Sequence, residues 1–575
     1  MVADRWLTDW SASNRYPLYT RANAGEVMPN PASPLAWTLV WHDALIEGWW
    51  DSQLVTGLFT ADEIDPEEVI GSFGGYLYIN ATTARLFGVR APGLTPEMVD
   101  IMYFGEHPDV PPYEPEPSHE SEAATERLGA WMAATLTATD LPHLRDDRET
   151  AATTRATRPD LGVLGDEALV ERARSLQPLL RHLFCRHLEM TACSSIGPGV
   201  LQAVAAGMGD AGLALRLMSS VGDVDSAAPS QALWELSREV RRSVALTNLF
   251  DATIAAGRGF DGLLDRVRAS AEPAAAVLVA GVDRFLVDHG SRGPNEWDLR
   301  AEVWETRPGL ALALLDRMRH QDDDHAPSVR SALRAADREA VTDSIVSALA
   351  DEPEILEQFR AALRSAHIHL AGRERTKTTI IRVLHEVRMT VRELGARHGY
   401  GLDAVTMLVA DELDAFVHDP DGFRARLAGR EQQYLELFDL EPPFIVNGPP
   451  PPLSQWPRRD RRPVAVASLG DTLHGVPGCP GIATGIARVI LDPADPTALE
   501  PGDVLVAPFT DPSWTPLFVP AAAVIVDVGA PVSHAVIVSR ELGIPCVVSV
   551  QHATRRIPDG ALVTVDGDAG TVFIH

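Results

Sequence analysis

The chain has 575 residues, 45% apolar and 23% charged, with a net charge of −30 at pH 7. That length is too great for one hydrophobic core and implies three or so domains, and the negative charge argues against nucleic acid, whose binding requires clustered cations. No apolar run reaches the length of a membrane span, and MVADRWLTDWSASN lacks the basic-then-apolar order of a secretion signal.

In chain order, TRANAGEVMPNPASPLAW (20–37) holds Asn23 and Glu26 beside a Pro-rich loop, where polar residues are more often turn formers than site residues. GSFGG, within GSFGGYLYIN (71–80), makes a poor phosphate loop: no Lys-Ser/Thr follows it, and it precedes a strand where a cradle should precede a helix. EHPDVPPYEPEPSHESEA (106–123) is acidic and Pro-rich, an exposed connection or mobile flap with a sub-boundary near 105–125. Amphipathic, Ala- and Leu-rich helix then dominates from about 120 to 440.

Three stretches interrupt that pattern. HGSRGPNEWDLRAEVWETRPG (289–309) follows the helical VDRFLVD, and its glycines and Pro294 force an irregular backbone on which His289, Arg292, Glu296 and Asp298 can converge. A structural salt-bridge knot is the bland alternative. RHQDDDHAP (319–327) has metal-like residues but reads as a solvated turn and is assigned no ligand role. HLAGRERTKTTIIRVLHEVRMTVRELGARHG (369–399) is a long helical pattern; Arg373 and Lys377 share one face, with Glu374 beside it and His385 at helical spacing. Of the 50 lysines and arginines, Lys377 is the one lysine. A composition so biased to arginine suggests that this ammonium is kept where a compact point charge is needed, as at a phosphate, although chance survival of one surface lysine is the competing explanation.

NGPPPPLSQWPRRDRRP reads as an extended, semi-stiff linker over 447–469, separating a mainly helical body (1–446) from a C-terminal domain (470–575). In the latter, AAVIVD (522–527) is a buried strand, the GAPV loop breaks it, and Ser533 is an N-cap for a helix running to about Leu542. His534 occupies the first turn, exposed, among unpaired N–H groups and the positive end of the macrodipole, which suits an anion and therefore a phosphorylated imidazole. Cys479 and Cys546 read as buried small side chains; with Cys185 and Cys193 they form no CxxC and no zinc spacing, so reduced thiols in a cytoplasmic protein are expected.

PVSHAVIVSRELGIPCVV resembles the phosphohistidine signature of the swivelling domain in phosphoenolpyruvate synthases, pyruvate phosphate dikinases and rifampicin phosphotransferases. GVPGCPGIATGIARVI, PGDVLVAPFTDPSWTPLF and the closing IPDGALVTVDGDAGTVFIH fall in that family's order. The resemblance implies a β/β/α swivel domain with His534 as the phosphoryl carrier. The helical body is similar to the substrate domain of rifampicin phosphotransferase-like proteins: Arg373, Glu374 and Lys377 match its Arg-Glu-x-x-Lys pattern. Residues 289–299 match its GHRGPGExDL motif, with Ser291 inserted and Asn295 replacing the second glycine. By that resemblance Arg292 and Glu296 shape the active cleft and His289 is the base. Neither the nucleotide-binding grasp domain nor the phosphoenolpyruvate barrel has a counterpart in the sequence. The expectation is therefore one subunit of a dikinase-like phosphotransferase, split as in phenylphosphate synthase. A separate ATP-grasp partner holds ATP and Mg²⁺, loads His534, and leaves AMP and phosphate; a hydroxylated small molecule then receives the phosphoryl group. An aromatic phenol, a macrocyclic antibiotic and a terpenoid or sterol alcohol are all compatible. The alternative is a non-catalytic relay whose His534 state controls partner binding.

Overall fold

The computed structural model describes every residue except 1–3, 105–109, 211, 223–224, 226, 257–258, 460–463, 492–498, 511–513 and 530–532. Parts of the acidic flap, of RRDRR (458–462) and of the GAPV and TDPSW motif stretches thus lie outside the described residues. The chain divides into two compact units: Met1–Gly197, Trp297–Arg300 and Arg364–Pro463 form one, and Pro198–Glu296, Ala301–Leu363 and Val464–His575 the other.

The first unit is mostly helical and carries an antiparallel four-stranded sheet. Its strands β1 (Leu18–Thr20), β2 (Ile70–Phe73), β3 (Tyr76–Asn80) and β4 (Ile445–Asn447) lie in the order β2-β3-β1-β4. The Gly-Gly of GSFGG is the hairpin turn between β2 and β3. Gly74 and Gly75 both have positive φ, +59° and +75°, a pairing that tight hairpin turns demand and side chains resist. The segment Ala36–Ile46 winds as a π-helix and buries Trp37 and Trp41. The longest helix, Pro353–Arg397, buries polar side chains around its circumference within this unit: His369, Glu374, Thr376, His385, Glu386 and Arg388 are all buried. Glu386 is matched by Arg158 at 2.7 Å and Arg172 at 3.1 Å, as a buried carboxylate requires.

The first half of the 447–469 stretch is docked rather than free. β4 pairs with β1, Leu453 and Trp456 are buried, and the Trp456 ring lies 6.1 Å from Tyr76. Two large apolar side chains outweigh the extended preference of the prolines around them.

The second unit joins helices to an eight-stranded sheet. Its strands are β5 (Thr472–His474), β6 (Val476–Cys479), β7 (Ile482–Val489), β8 (Val504–Ala507), β9 (Ala523–Val526), β10 (Cys546–Val548), β11 (Leu562–Asp566) and β12 (Thr571–Ile574), in the order β5-β12-β11-β7-β8-β9-β10-β6. The central run β7-β8-β9-β10 is parallel and the flanks are antiparallel. Because β8 and β9 are buried on both faces, they read as unbroken apolar runs, VLVA and AVIV. On one face Leu505, Val524 and Val526 share a core with Trp234, Phe250, Phe285 and Trp304; on the other, Val504, Val506 and Ile525 pack among strand residues. This shared core is why the helices of residues 228–348 group with the C-terminal sheet, and the helical region expected as one body over 1–446 is divided between the units. Among the described residues no helix is long and apolar enough to cross a membrane.

Candidate functional site

His534 opens the helix His534–Leu542, which connects parallel strands β9 and β10. The helix stops where Gly543 turns left-handed, φ +66°, and its carbonyl accepts from Arg334 at 2.8 Å. Every residue of this helix is buried, His534 included at 7% exposure, which corrects the expectation of an exposed first-turn ring. The ring is held at both nitrogens: Thr510 Oγ1 lies 3.1 Å from Nδ1, Thr515 Oγ1 3.1 Å from Nε2, and Phe518 meets the ring edge-on. A hydroxyl can donate or accept, so two threonines fit either tautomer of a neutral imidazole. Ser533 stands at the N-cap position, but its side chain makes no capping bond.

Asp527 directly follows β9. It accepts from the Thr554 N–H at 2.8 Å and the Thr554 hydroxyl at 2.5 Å, and burial raises its pKa to about 6.

Arg292 and Glu296 form a buried ion pair, Nε to Oε2 at 2.8 Å, with exposures of 1% and 2%. Asn295 has φ +54°, which explains why asparagine replaces the motif's glycine: it is the side chain that best tolerates the left-handed region. The backbone turns from Gly290 to Glu296 with Arg292 N–H on the His289 carbonyl. Aligned to GHRGPG without a gap, Gly290, Arg292, Gly293 and Pro294 keep their places and Ser291, 2% exposed, stands at the histidine. Ser291 is therefore a substitution rather than an insertion. His289 is the last residue of the preceding helix, its ring 5.3 Å from Phe285.

Asp298 belongs to the first unit. It is fully buried and accepts from Ser33 N–H at 2.7 Å, Ser33 Oγ at 2.6 Å and Arg300 N–H at 2.8 Å. Burial raises its pKa despite those bonds and the nearby Arg388 charge. Arg388 donates to the Asp298 carbonyl at 2.9 Å and lies 3.1 Å from His385 Nδ1, so His385 is part of this brace.

The same unit holds Arg373, Glu374 and Lys377 on the Pro353–Arg397 helix. Arg373 and Lys377 are partly exposed, while Glu374 is buried with Oε1 3.4 Å from Arg373 Nη1. A residue from another helix joins them: His187, whose Nδ1 is 3.0 Å from Thr376 Oγ1. Burial, then the charges of Arg373 and Lys377, push the His187 pKa down to about 3, so its ring is neutral. Phe184 and Trp297 flank it at 6.1 and 6.0 Å. His187, Thr510 and Thr515 were not legible as site residues in the sequence. The threonines sit inside the quoted PFTDPSWTPLF, so that stretch already contained them; His187, in CRHLEM, has no neighbouring signal at all.

The helical body thus carries paired cations, and the β–α–β unit presents one histidine. Residues 186–374 match the rifampicin phosphotransferase fourth domain, and residues 499–570 match the mobile domain of PEP-utilising enzymes. The chain is 30% identical over 384 residues to the prodigiosin synthesizing transferase PigC of Serratia marcescens, covering 63% of this chain and 40% of that one. It is 31% identical over 301 residues to the rifampicin phosphotransferase of Streptomyces sviceus, covering 51% and 34%. It is 50% identical over 103 residues to a probable phosphoenolpyruvate synthase of Staphylothermus marinus, covering 18% and 12%. These two matched stretches are similar to domains of phosphoenolpyruvate synthase and rifampicin phosphotransferase-like proteins. The chain spans between about a third and two fifths of the length of the first two of these relatives.

Proposed function

We propose that the chain supplies the carrier and acceptor halves of a dikinase-like phosphotransfer. An ATP-grasp partner loads His534 from ATP, with AMP and phosphate as the other products, and the phosphoryl group passes to the hydroxyl of a small organic molecule held by the helical residues. The observation that supports this most is the His534 ring within the mobile-domain match, held at both nitrogens by threonine hydroxyls. Because the ring is buried, loading requires the groups around it to move aside. Among the described residues no cluster of three or more His, Cys, Asp or Glu side chains is placed to hold a metal, and the proposal leaves Mg²⁺ and ATP to the partner.

At the acceptor, the metaphosphate-like phosphoryl group needs charge stabilisation more than covalent help. Lys377 and Arg373 supply it from one helix face. Glu374 beside them tempers their mutual repulsion and orients Arg373. In this proposal Arg292 and Glu296 hold the irregular loop in shape, and His289 closes the helix before it.

The test is a labelling series. With ATP labelled in its β- and γ-phosphates and Mg²⁺, the chain alone should gain no acid-labile phosphate, the chain with its ATP-grasp partner should gain it at His534, and His534→Ala should gain none. Label on the His534→Ala protein, or transfer activity in that variant, would sink the carrier assignment. Stable phosphohistidine that never passes to any acceptor would favour the relay alternative.

A further inference from the structure

His187 takes no part in the reaction as set out above, yet it sits among the groups assigned to the acceptor side. Its tautomer follows from the hydrogen bonds. The Thr376 hydroxyl uses its proton on the Arg373 carbonyl, 2.9 Å away, and that carbonyl also bonds the imidazole. The Thr376 hydroxyl therefore accepts from Nδ1, so Nδ1 carries the ring proton and Nε2 presents a lone pair. No described group donates to Nε2. A structural histidine this buried ordinarily has both nitrogens met inside the protein. This one has a base nitrogen left for something that arrives from solution.

Resting on the carrier reading of His534, we propose that His187 is the base of the acceptor step and that the acceptor is an aromatic hydroxyl compound. The aromatic part of the proposal comes from the surroundings. Phe184 and Trp297 stand beside the imidazole, with Trp41 5.8 Å from Phe184 and 5.9 Å from Trp297, so the wall behind the imidazole is a buried aromatic cluster while Arg373 and Lys377 supply the charge near it. In the step, the acceptor oxygen bonds to phosphorus. The phosphorus–nitrogen bond of phosphohistidine breaks, its electron pair returning to the His534 ring, which takes up a proton from solvent and leaves as neutral imidazole. The hydroxyl proton goes to His187 Nε2 and from there to solvent. Two cations and burial keep His187 unprotonated before the donor arrives. A phosphoryl anion beside Arg373 and Lys377 then cancels their effect, and the imidazole becomes more basic when the proton has to move.

The experiment uses the full chain, loaded chemically with phosphoramidate, with His534→Ala as the blank. Phenol and 4-nitrophenol are the acceptor probes, at a pH between their acidities, where phenol keeps its proton and 4-nitrophenol has lost it. His187→Gln keeps an acceptor oxygen near the Nε2 position but cannot take up a proton, and His187→Asn keeps a donor near Nδ1 and removes Nε2. Both variants should slow transfer to phenol by about 10²-fold and change transfer to 4-nitrophenolate by only a few-fold. Equal slowing of both probes would make His187 merely structural. No slowing of either, or a wild type that transfers to neither probe, would overturn the proposal while leaving the carrier reading intact. Absence of phosphoryl at residue 534 would remove the carrier reading and the inference with it.

Discussion

Lys377 shows how far one residue can be read without a structure. Its value as a signal came from composition: one ammonium among 50 cations, four residues from Arg373 on a helical pattern. The structure puts both cations within electrostatic reach of a third group, His187. If Lys377 neutralises the phosphoryl group in transit, Lys377→Ala should lower turnover by roughly 10²-fold or more while loading of His534 is unchanged, as expected for loss of one preorganised charge. Lys377→Arg should recover part of the rate, because a planar fork places its charge differently from a compact ammonium. Loading is read as phosphohistidine content without acceptor, and transfer as its decay once acceptor is added. Wild-type decay in Lys377→Arg would make the lysine an accident of composition. The residues that escaped notice did so for a physical reason. His187 and Thr376 are 189 positions apart, and a threonine such as Thr510 or Thr515 carries no charge or periodicity to mark it.

At the scale of the element, the β9–helix–β10 unit was legible almost to its ends. Strand 522–527 is observed as Ala523–Val526, and the helix ends at Leu542 as expected. Apolar runs, a loop rich in glycine and proline, and a Gly-Ile-Pro stop leave the chain little choice there. Burial of the helix was not legible, because exposure depends on what packs against the unit: Arg334, from the helix Pro327–Ala348, lies against Gly543. Gly543 is the residue on which the element turns. A side chain there must adopt φ +66° and would also meet the Arg334 guanidinium. Gly543→Ala should therefore cost about 1–2 kcal/mol, read as a lower urea midpoint at unchanged slope. An unchanged midpoint would mean that the left-handed cap is not needed to end this helix. The linker over 447–469 failed at the same scale. Its composition describes an extended chain, but Leu453 and Trp456 hold its first half in the fold.

For the whole molecule, division into parts was legible from length, and the partners within each part were not. Trp297–Arg300 joins the first unit while Arg292 and Glu296, only a few residues earlier, belong to the second. Within their units, burial pairs Arg292 with Glu296 and Asp298 with Ser33. Buried ionisable groups of this kind make folding depend on pH. The His187 pKa is about 3 in the folded protein against 6.5 for the free side chain. Between those values the unfolded chain binds a proton that the native state refuses, so stability is lost as pH falls from 6.5 toward 3. The loss amounts to roughly 3 kcal/mol by about pH 4. Asp527 works in the opposite sense: with a folded pKa of about 6 against 3.8, the native state takes the proton first, and stability is gained as pH falls through that window. The wild-type profile mixes both, so the prediction concerns a difference between proteins. His187→Gln removes one term and keeps the other. The variant should therefore gain stability relative to wild type, its unfolding free energy minus that of wild type rising as pH falls from about 7 to about 4.5, measured by urea denaturation at each pH. Parallel profiles over that range would show that His187 takes up protons in the folded state as readily as in the unfolded one. The charges of Arg373 and Lys377 would then not be felt at its ring, and the cluster proposed for the acceptor would lose its electrostatic basis.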